Sequence, residues 1–258
     1  MVSTLSSAEP TAAAVAYREW APPPALAPWV RRVWELTVEG DAGPGRVLPD
    51  GCMDLVVMGG ALLVAGPDTG PVPVARTPGE TVVGIRFHPG AGPAVLGPAA
   101  SELRDTRVPL DAVWGREGRE LQERVTEAPP PAGLAVLQAR LLARLDAAAD
   151  PDPLVAAAVR LLERRPALPD RVGGLGTALG LGERQLRRRF LAEVGYGPKT
   201  LARVLRFQRL LALLRAGPGG PPSLVEAAHT AGYADQAHMT AECTRLAGRS
   251  PATVAAGR

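Results

Sequence analysis

Apolar and polar positions alternate along two stretches in the first third of the chain. One stretch contains Trp34, Leu36 and Val38, and the other runs from Thr81 to His88. A period of two is typical of a β-strand with one buried face, because successive side chains point to opposite faces of the sheet. The pattern therefore predicts two strands in this part of the chain.

Two short apolar runs between these strands predict a hairpin. Met53 to Met58 and Ala61 to Ala65 flank the dipeptide Gly59-Gly60. Two glycines suit a tight turn, because glycine adopts the positive φ that such turns require. Short strands separated by segments rich in glycine and proline predict a compact β-rich domain, a small barrel or sandwich.

The later part of the chain has the period of helices. Leucines spaced three or four apart predict an amphipathic helix over 133–149, which either packs on its own domain or pairs with a second copy of the chain. Pro-rich segments at 128–131 and 150–153 interrupt the pattern on either side. Seven helical segments are then predicted: Leu154–Arg164, Val172–Leu179, Glu183–Glu193, Pro198–Ala216, Ser223–Ala231, Asp235–Leu246 and Pro251–Ala255. A hinge is expected at 217–222.

These patterns divide the chain into four parts. We expect residues 1–16 to be disordered, 17–127 to form the β-rich domain, 128–150 to be a linker with its helix, and 151–258 to form an all-α domain. A length of 258 residues allows two such domains. The predicted fold class is therefore α+β with two domains.

Composition narrows the location and the chemistry. No apolar run reaches the roughly 18 residues of a membrane span, and the N-terminus lacks the pattern of a signal peptide, so a cytoplasmic protein is expected. Cys52 and Cys243 are the only two cysteines, which argues against a disulfide framework or a zinc cluster. We expect no cofactor and no metal.

The charges are distributed unevenly between the two halves. Residues 151–258 carry 16 Lys and Arg against 8 Asp and Glu, whereas residues 1–150 carry 13 against 18. The C-terminal half is therefore basic, and it alone is suited to meet a polyanion such as DNA.

The basic residues concentrate in the segment Gly180 to Pro198. At helical spacing Leu186 and Phe190 fall on one face, while Arg184 and Arg188 point roughly the opposite way. This segment is either a helix that enters a DNA groove or an amphipathic helix with a solvated basic face.

An internal repeat favours the first interpretation. The pattern Gly195-x-x-Pro198 recurs as Gly248-x-x-Pro251, and Leu175 to Gly180 falls on Ala227 to Gly232. Two units of helix, turn and helix joined by a long apolar helix suit two recognition helices in successive major-groove segments, about 34 Å apart.

Two C-terminal segments carry a family resemblance. LGLGERQLRRRFLAEVGYGPKTLARVLRFQRLLALLR and AAHTAGYADQAHMTAECTRLAGRSPATV resemble the paired helix-turn-helix domain of the AraC/XylS transcriptional regulators. The pieces RVLPDGCMDLVV, VVGIRFHPGA and PLDAVWG resemble the β-rich, cupin-like sensory region of some members. The resemblance implies a DNA-binding transcription regulator and no enzyme.

The resemblance also implies which residues contact DNA. Base-reading positions fall on Arg184, Gln185, Arg187 and Arg188 in the first unit, and on Gln236, Ala237, His238, Thr240 and Ala241 in the second. Nearby cations are suited to phosphates, which set register without reading sequence: Arg189, Lys199, Arg203, Arg206, Arg245 and Arg249.

The second unit departs from the family pattern. It has Met239, Ala241 and Cys243 where members usually show an arginine between aromatic core positions, and Glu242 adds a charge that DNA repels. We therefore predict that the first unit dominates DNA affinity.

Six residues near the ends of the predicted strands form a candidate small-molecule site: Trp34, Asp50, Cys52, Asp54, Arg86 and His88. Cys52 with His88 would alternatively sense thiol chemistry or a metal. The plainer interpretation for each residue is turn chemistry or core packing, which we favour individually. One histidine is too few for the metal centre of a cupin enzyme.

The sequence therefore predicts a cytoplasmic transcription regulator that binds promoter or operator DNA, with a small-molecule effector and a second copy of the chain as further partners. RNA polymerase joins them if the protein is an activator. Two alternatives stay open: an architectural DNA binder that needs no ligand, and a barrel that binds a metal or small molecule with an accessory DNA-binding domain.

Overall fold

The computed structural model of the chain describes residues 15–40, 43–145, 150–164, 172–215 and 222–256. Eight strands occur within these residues: β1 Val15–Trp20, β2 Val30–Val38, β3 Gly45–Val47, β4 Asp54–Met58, β5 Ala61–Ala65, β6 Val72–Val74, β7 Thr81–Phe87 and β8 Arg107–Pro109. The predicted β-rich domain is confirmed. The prediction of disorder over 1–16 falls almost wholly outside the described residues.

The strands form two antiparallel sheets. The larger has six strands in the order β1-β2-β7-β4-β5-β8, and the smaller pairs β3 with β6. The predicted hairpin is confirmed, since Met58 pairs with Ala61 across a turn in which Gly59 and Gly60 have φ of +56° and +75°. A side chain at either glycine would be strained in this turn.

One face of the larger sheet packs on five helices: α1 Gly92–Leu96, α2 Ala100–Leu103, α3 Leu110–Trp114, α4 Arg116–Glu127 and α5 Pro130–Leu145. Leu134, Leu137 and Leu141 of α5 share a buried core with Leu55 and Ile85 of the sheet. The helix predicted over 133–149 therefore packs on its own domain, and these leucines are not available to a second copy. Residues 146–149 lie outside the described chain.

The C-terminal unit consists of helices: α6 Pro153–Arg164, α7 Val172–Ala178, α8 Glu183–Val194, α9 Pro198–Leu214, α10 Leu224–Ala231, α11 Gln236–Ala247 and α12 Pro251–Ala255. All seven predicted helices are confirmed, with bounds that differ by at most two residues. Most of the predicted hinge at 217–222 lies outside the described residues.

The internal repeat is present in the backbone. Gly180 and Gly232 stand in the turns of the two units with φ of +66° and +91°. Gly195 and Gly248 end α8 and α11 in the left-handed region, with φ of +87° and +68°. Since only glycine adopts these angles without strain, the repeated glycines define the same turns in both units.

The segment between β3 and β4 reaches into the helical unit. Leu48 is buried in the core formed by α6 to α12. Gln208 Nε2 on α9 donates to the Pro49 carbonyl oxygen at 2.6 Å. A Cβ added at Gly51 would lie 2.8 Å from Leu201 Cδ1 of α9. The β-rich unit thus contacts the helix that joins the two helix-turn-helix units.

Candidate functional site

Helix α8 presents its basic residues to solvent. Arg184, Gln185, Arg187 and Arg188 are all exposed. On the opposite side Leu186, Phe190 and Val194 are buried in the helical core. Such a helix is held from behind while its guanidinium groups point outward, which is the arrangement of a helix that enters the major groove.

Helix α11 presents an uncharged surface in the same place. Gln236, Ala237 and His238 are exposed, as is Ala241, while Thr240 is half-buried. The Thr240 hydroxyl donates to the Gln236 carbonyl oxygen at 2.8 Å, and the His238 ring packs edge-on against Tyr233. Gln236, His238 and Thr240 carry groups that can hydrogen-bond to bases, the two alanines offer only apolar contact, and none of these residues carries a fixed positive charge.

The two recognition helices also begin differently. Asp235 caps α11, because its carboxylate accepts a hydrogen bond from the His238 amide at 2.7 Å. Gly182 stands at the same place before α8 and supplies no side-chain bond. Helix α11 is therefore the better capped of the two.

Three of the predicted phosphate contacts donate hydrogen bonds to carboxylates within the protein. Arg189 forms an ion pair with Asp152, whose carboxylate also caps α6 through the Leu154 amide at 2.9 Å. Arg203 Nε donates to Glu242 Oε1 at 2.9 Å. Lys199 and Arg245 are exposed, and Arg245 Nη2 lies 3.8 Å from Glu242 Oε1. Arg249, the sixth predicted contact, is half-buried.

Arg206 is the third, and for it the prediction of a phosphate contact is wrong. Its residue is only 4% exposed, and its Nη2 donates to both carboxylate oxygens of Glu242, at 2.8 and 2.9 Å. The guanidinium also packs over the Tyr233 ring. A side chain held in this way cannot reach a phosphate.

Glu242 likewise differs from the prediction. It is 2% exposed, so it does not present a charge to DNA but lies between Arg203 and Arg206. It therefore ties α11 to α9. The sequence did contain a signal for the burial of Arg206, the partner of Glu242. Arg206 lies four residues after Ala202 and four before Leu210, and both of these residues are buried on α9.

The second candidate site is a cavity of about 480 Å³ in the β-rich unit. It lies between the two sheets, on the face of the larger sheet opposite the helices. Leu36, Val38 and Val82 of the larger sheet and Val72 and Val74 of the smaller one line it. Alternation along the strands accounts for these walls, since neighbouring residues Val33, Val83 and Ile85 point into the core on the other face.

The floor of this cavity is a buried ion-pair cluster. Arg86 Nη2 lies 3.0 Å from Asp54 Oδ2, and Arg86 Nε lies 3.1 Å from Asp50 Oδ2. Trp34 Nε1 donates to Asp54 Oδ2 at 3.0 Å. Burial raises the pKa of Asp54 to about 6, against the opposing effect of Arg86.

The structure brings five of the six candidate pocket residues together around the cavity: Trp34, Asp50, Cys52, Asp54 and Arg86. His88 does not line it; its ring lies at the Ala27 carbonyl oxygen, so the prediction is wrong for this residue. Burial raises the pKa of the Cys52 thiol well above its ordinary value, which keeps it protonated. Within the described ranges, no group of three or more His, Cys, Asp and Glu side chains is arranged to hold a metal ion.

Sequence reasoning missed other cavity residues. Arg107 binds Asp68, with Nη2 and Oδ2 2.6 Å apart, and Tyr17 stacks on Trp34. Arg46 and Arg76 line the cavity from the side of the smaller sheet. Short strands such as β3 and β6 carry too few positions to show alternation, so no pattern assigned these arginines to the cavity.

A second cleft of about 380 Å³ adjoins the floor of the cavity. Asp50, Cys52 and Arg86 line both spaces, and Leu205 and Gln208 of α9 line the cleft. The ion pair of Arg86 with Asp50 therefore lies between the cavity and the helix that joins the two helix-turn-helix units.

Each of the two parts of the chain matches the model of a protein family. Residues 175–257 match the model of a helix-turn-helix domain. The C-terminal part is an AraC-type helix-turn-helix domain. Residues 18–109 match the model of a domain of unknown function (DUF6597).

Other similarities of the chain are weaker. A search of curated proteins finds no match. Among solved structures, the chain is similar to a variant of apo ToxT from Vibrio cholerae, with 9% identity, coverage of 93% of this chain and 96% of that chain, and a TM-score of 0.44. None of the described helices is long and apolar enough to cross a membrane.

Proposed function

We propose that the cavity of the β-rich unit controls the DNA affinity of this DNA-binding transcription regulator. The AraC-type domain supplies the DNA-binding activity. The proposal rests on the β3–β4 segment, which contributes Asp50 and Cys52 to the cavity and places Leu48 in the helical core. A small molecule that displaces this segment would alter its contacts with α9.

The controlled element in this proposal is α9, because it connects the two helix-turn-helix units. Gln208 of α9 binds the Pro49 carbonyl oxygen, and Leu201 packs beside Gly51. A ligand that favours one arrangement of these contacts would favour one spacing of the recognition helices. Since both helices must fit the same DNA, a change in spacing alters affinity.

Within the AraC-type domain we propose that sequence is read by the exposed residues of α8 and α11: Arg184, Gln185, Arg187, Arg188, Gln236, Ala237, His238 and the half-buried Thr240. Arginine suits guanine O6 and N7, and glutamine suits adenine, with about 1 to 3 kcal/mol of discrimination for a good pair. Their exposure supports this role. Lys199 and Arg245, also exposed, are the proposed phosphate contacts.

Sequence specificity is tested by selection of duplexes from a random DNA library with the full-length protein. We expect one enriched sequence with two half-sites about one helical turn apart. Affinity for this duplex should exceed affinity for random DNA at least about 1,000-fold at physiological salt. Equal affinity for both would instead support an architectural DNA binder.

The coupling is tested by Gln208→Ala on the selected duplex. Removal of the bond to Pro49 should change DNA affinity several-fold, although Gln208 is half-buried at the domain contact and is not among the proposed DNA-reading residues. Gln138→Ala is the matched control, because among the described residues Gln138 donates a hydrogen bond within its own helix, to the Leu134 carbonyl oxygen. Wild-type affinity in both variants would contradict control through this contact.

A further inference from the structure

We infer that one loop of the β-rich unit, residues 66–71 between β5 and β6, fixes the separation of the two recognition helices and thereby selects the spacing of the DNA half-sites that the protein accepts. The inference rests on the proposed function only in taking both α8 and α11 to read DNA. It involves no ligand, because the contacts that carry it join the β5–β6 loop to the helical unit directly.

The β5–β6 loop lies against the C-terminal end of α8. Gly195 ends this helix and is buried, and a Cβ added to it would lie 2.6 Å from Pro67 Cγ of the loop and 3.0 Å from the Ala100 carbonyl oxygen of α2. Arg104, which follows α2, donates through Nη1 to the Gly195 carbonyl oxygen at 3.2 Å. The helix dipole favours a cation at this end. The β-rich unit therefore holds the first recognition helix at its C-terminal end.

The same loop lies beside the equivalent position of the second unit. Gly248 ends α11 as Gly195 ends α8, and both glycines have positive φ. A Cβ added at Gly248 would lie 3.4 Å from Pro71 Cγ, which is an ordinary van der Waals distance. Pro67 and Pro71 belong to one short loop, and each adjoins the end of one recognition helix. The loop therefore connects the two units in addition to α9, which joins them along the chain.

Bonds at three consecutive residues hold the loop in one shape. The Asp105 amide donates to the Pro67 carbonyl oxygen at 3.2 Å. The Asp105 carboxylate accepts hydrogen bonds from the Thr69 amide at 2.7 Å and from the Thr69 hydroxyl at 2.9 Å. Between these two residues Asp68 binds Arg107 of β8, with Nη1 and Oδ1 2.5 Å apart. A segment fixed in this way resists local opening, so neither proline can move independently of the β-rich unit.

Asp105 is a positioning residue for this loop. Its φ is +59°, and among the residues that the structure describes it is the one residue other than glycine with a positive φ. Side chains other than glycine rarely adopt this region, and Asp and Asn tolerate it best. The strain persists because the amide and the carboxylate of Asp105 both bind the loop. Asn at this position retains an acceptor oxygen, whereas Gly relieves the strain and removes the acceptor.

The separation of the helices is tested without DNA by pulsed electron paramagnetic resonance on the full-length protein. Nitroxide labels are attached to cysteines introduced at Gln185 of α8 and Ala237 of α11, both of which are exposed. The native Cys52 and Cys243 are buried, which favours labelling of the introduced cysteines. We expect one narrow distribution of distances between the two labels.

Two variants loosen the loop at different places. Asp105→Gly removes the acceptor for Thr69, and Pro71→Gly removes the ring beside Gly248. In each, the distance distribution should shift or widen by about 2 Å, with the fold verified by circular dichroism. Asp105→Asn should retain the wild-type distribution, as should the matched control Pro78→Gly, because Pro78 is exposed in the turn between β6 and β7. Wild-type distributions in both loop variants would overturn the inference.

The spacing of the half-sites is tested with the selected duplex and with versions in which one base pair is inserted or deleted between the half-sites. One base pair moves the second half-site by about 3.4 Å along the DNA axis and also turns it about this axis. Each change should lower the affinity of the wild type at least about tenfold. In Pro71→Gly the loss should be about threefold or less, and in Pro78→Gly it should equal the wild-type loss.

The two measurements separate this inference from the proposed function. An unchanged loss of affinity in Pro71→Gly together with unchanged distances would overturn the inference. An unchanged loss together with changed distances would support the hold of the loop on both helices and contradict the proposed reading of DNA by both.

Discussion

The two recognition helices lie in repeated helix-turn-helix units, but the arginines near them have different roles. In the first unit Arg184, Arg187 and Arg188 of α8 are exposed to solvent. In the second unit Arg203 and Arg206 approach α11 from α9 and bind the buried Glu242. The first unit exposes its arginines to solvent, whereas arginines of the connecting helix α9 bind the recognition helix of the second unit.

The exposed arginines of α8 are suited to contact DNA, whereas the arginines bound to Glu242 fix the orientation of α11. An exposed guanidinium releases counterions from DNA and adds affinity. A guanidinium buried against a carboxylate adds no such affinity, but it fixes the angle between two helices. We therefore interpret α8 as the main source of affinity and α11 as a rigid reader whose orientation depends on Glu242.

Glu242→Gln should have the largest effect on this comparison. It removes the negative charge that compensates Arg203 and Arg206, and we expect the free energy of unfolding to fall by about 3 to 5 kcal/mol. Glu123→Gln is the matched control, with an expected change within about 0.5 kcal/mol, because Glu123 is exposed on α4. Chemical denaturation measures both. A decrease below about 1 kcal/mol for Glu242→Gln would show that the cluster does not hold α11.

The contrast was only partly visible in the sequence. Glycine spacing and apolar periodicity predicted both units, because these features depend on local backbone geometry. The pairing of Glu242 with Arg206 was missed, since the two residues lie 36 positions apart and meet only when α9 and α11 pack. A charged residue read without its tertiary partner was therefore assigned to the surface.

The residues of the cavity were also only partly predictable from the sequence. Trp34, Asp54 and Arg86 could be selected because they lie on predicted strands near polar residues, and the pairing of β2, β4 and β7 brings them together. Arg46 could not be assigned to the cavity from the sequence, because it lines the cavity only when β3 and β6 form a second sheet.

Helices α1 to α3 escaped prediction because they have only four or five residues, too few to show a period. Helix α4 did carry a helical pattern, since Leu121 and Val125 are buried four residues apart, and this signal was missed.

The salt dependence of DNA binding distinguishes the two helices further. Arg187→Gln should reduce the slope of log affinity against log salt by about 0.9 for each phosphate that the protein no longer neutralises. Thr240→Ala on α11 should leave the slope unchanged, because it removes no charge. Fluorescence anisotropy with the selected duplex at several salt concentrations measures both slopes. Equal slopes in the two variants would place Arg187 in solvent rather than on DNA.

The capping difference between the recognition helices predicts the smallest effects. Asp235→Ala should lower the free energy of unfolding by about 1 kcal/mol, because it removes the bond to the His238 amide. Gly182→Ser should raise it by a few tenths of a kcal/mol, since no atom lies within 4 Å of a Cβ added there. Thermal unfolding measures both. Stabilisation of similar size by Ala and Ser at Gly182 would show that capping is not the cause.

The dominance of the first unit is decided by comparing Arg188→Ala in α8 with Gln236→Ala in α11. Affinity of each full-length variant for the selected duplex is measured by fluorescence anisotropy at one fixed salt concentration. We predict a larger decrease in affinity for Arg188→Ala, of about 1 to 3 kcal/mol, because its guanidinium contributes both charge and base contact. A larger decrease for Gln236→Ala would contradict the prediction that the first unit dominates affinity.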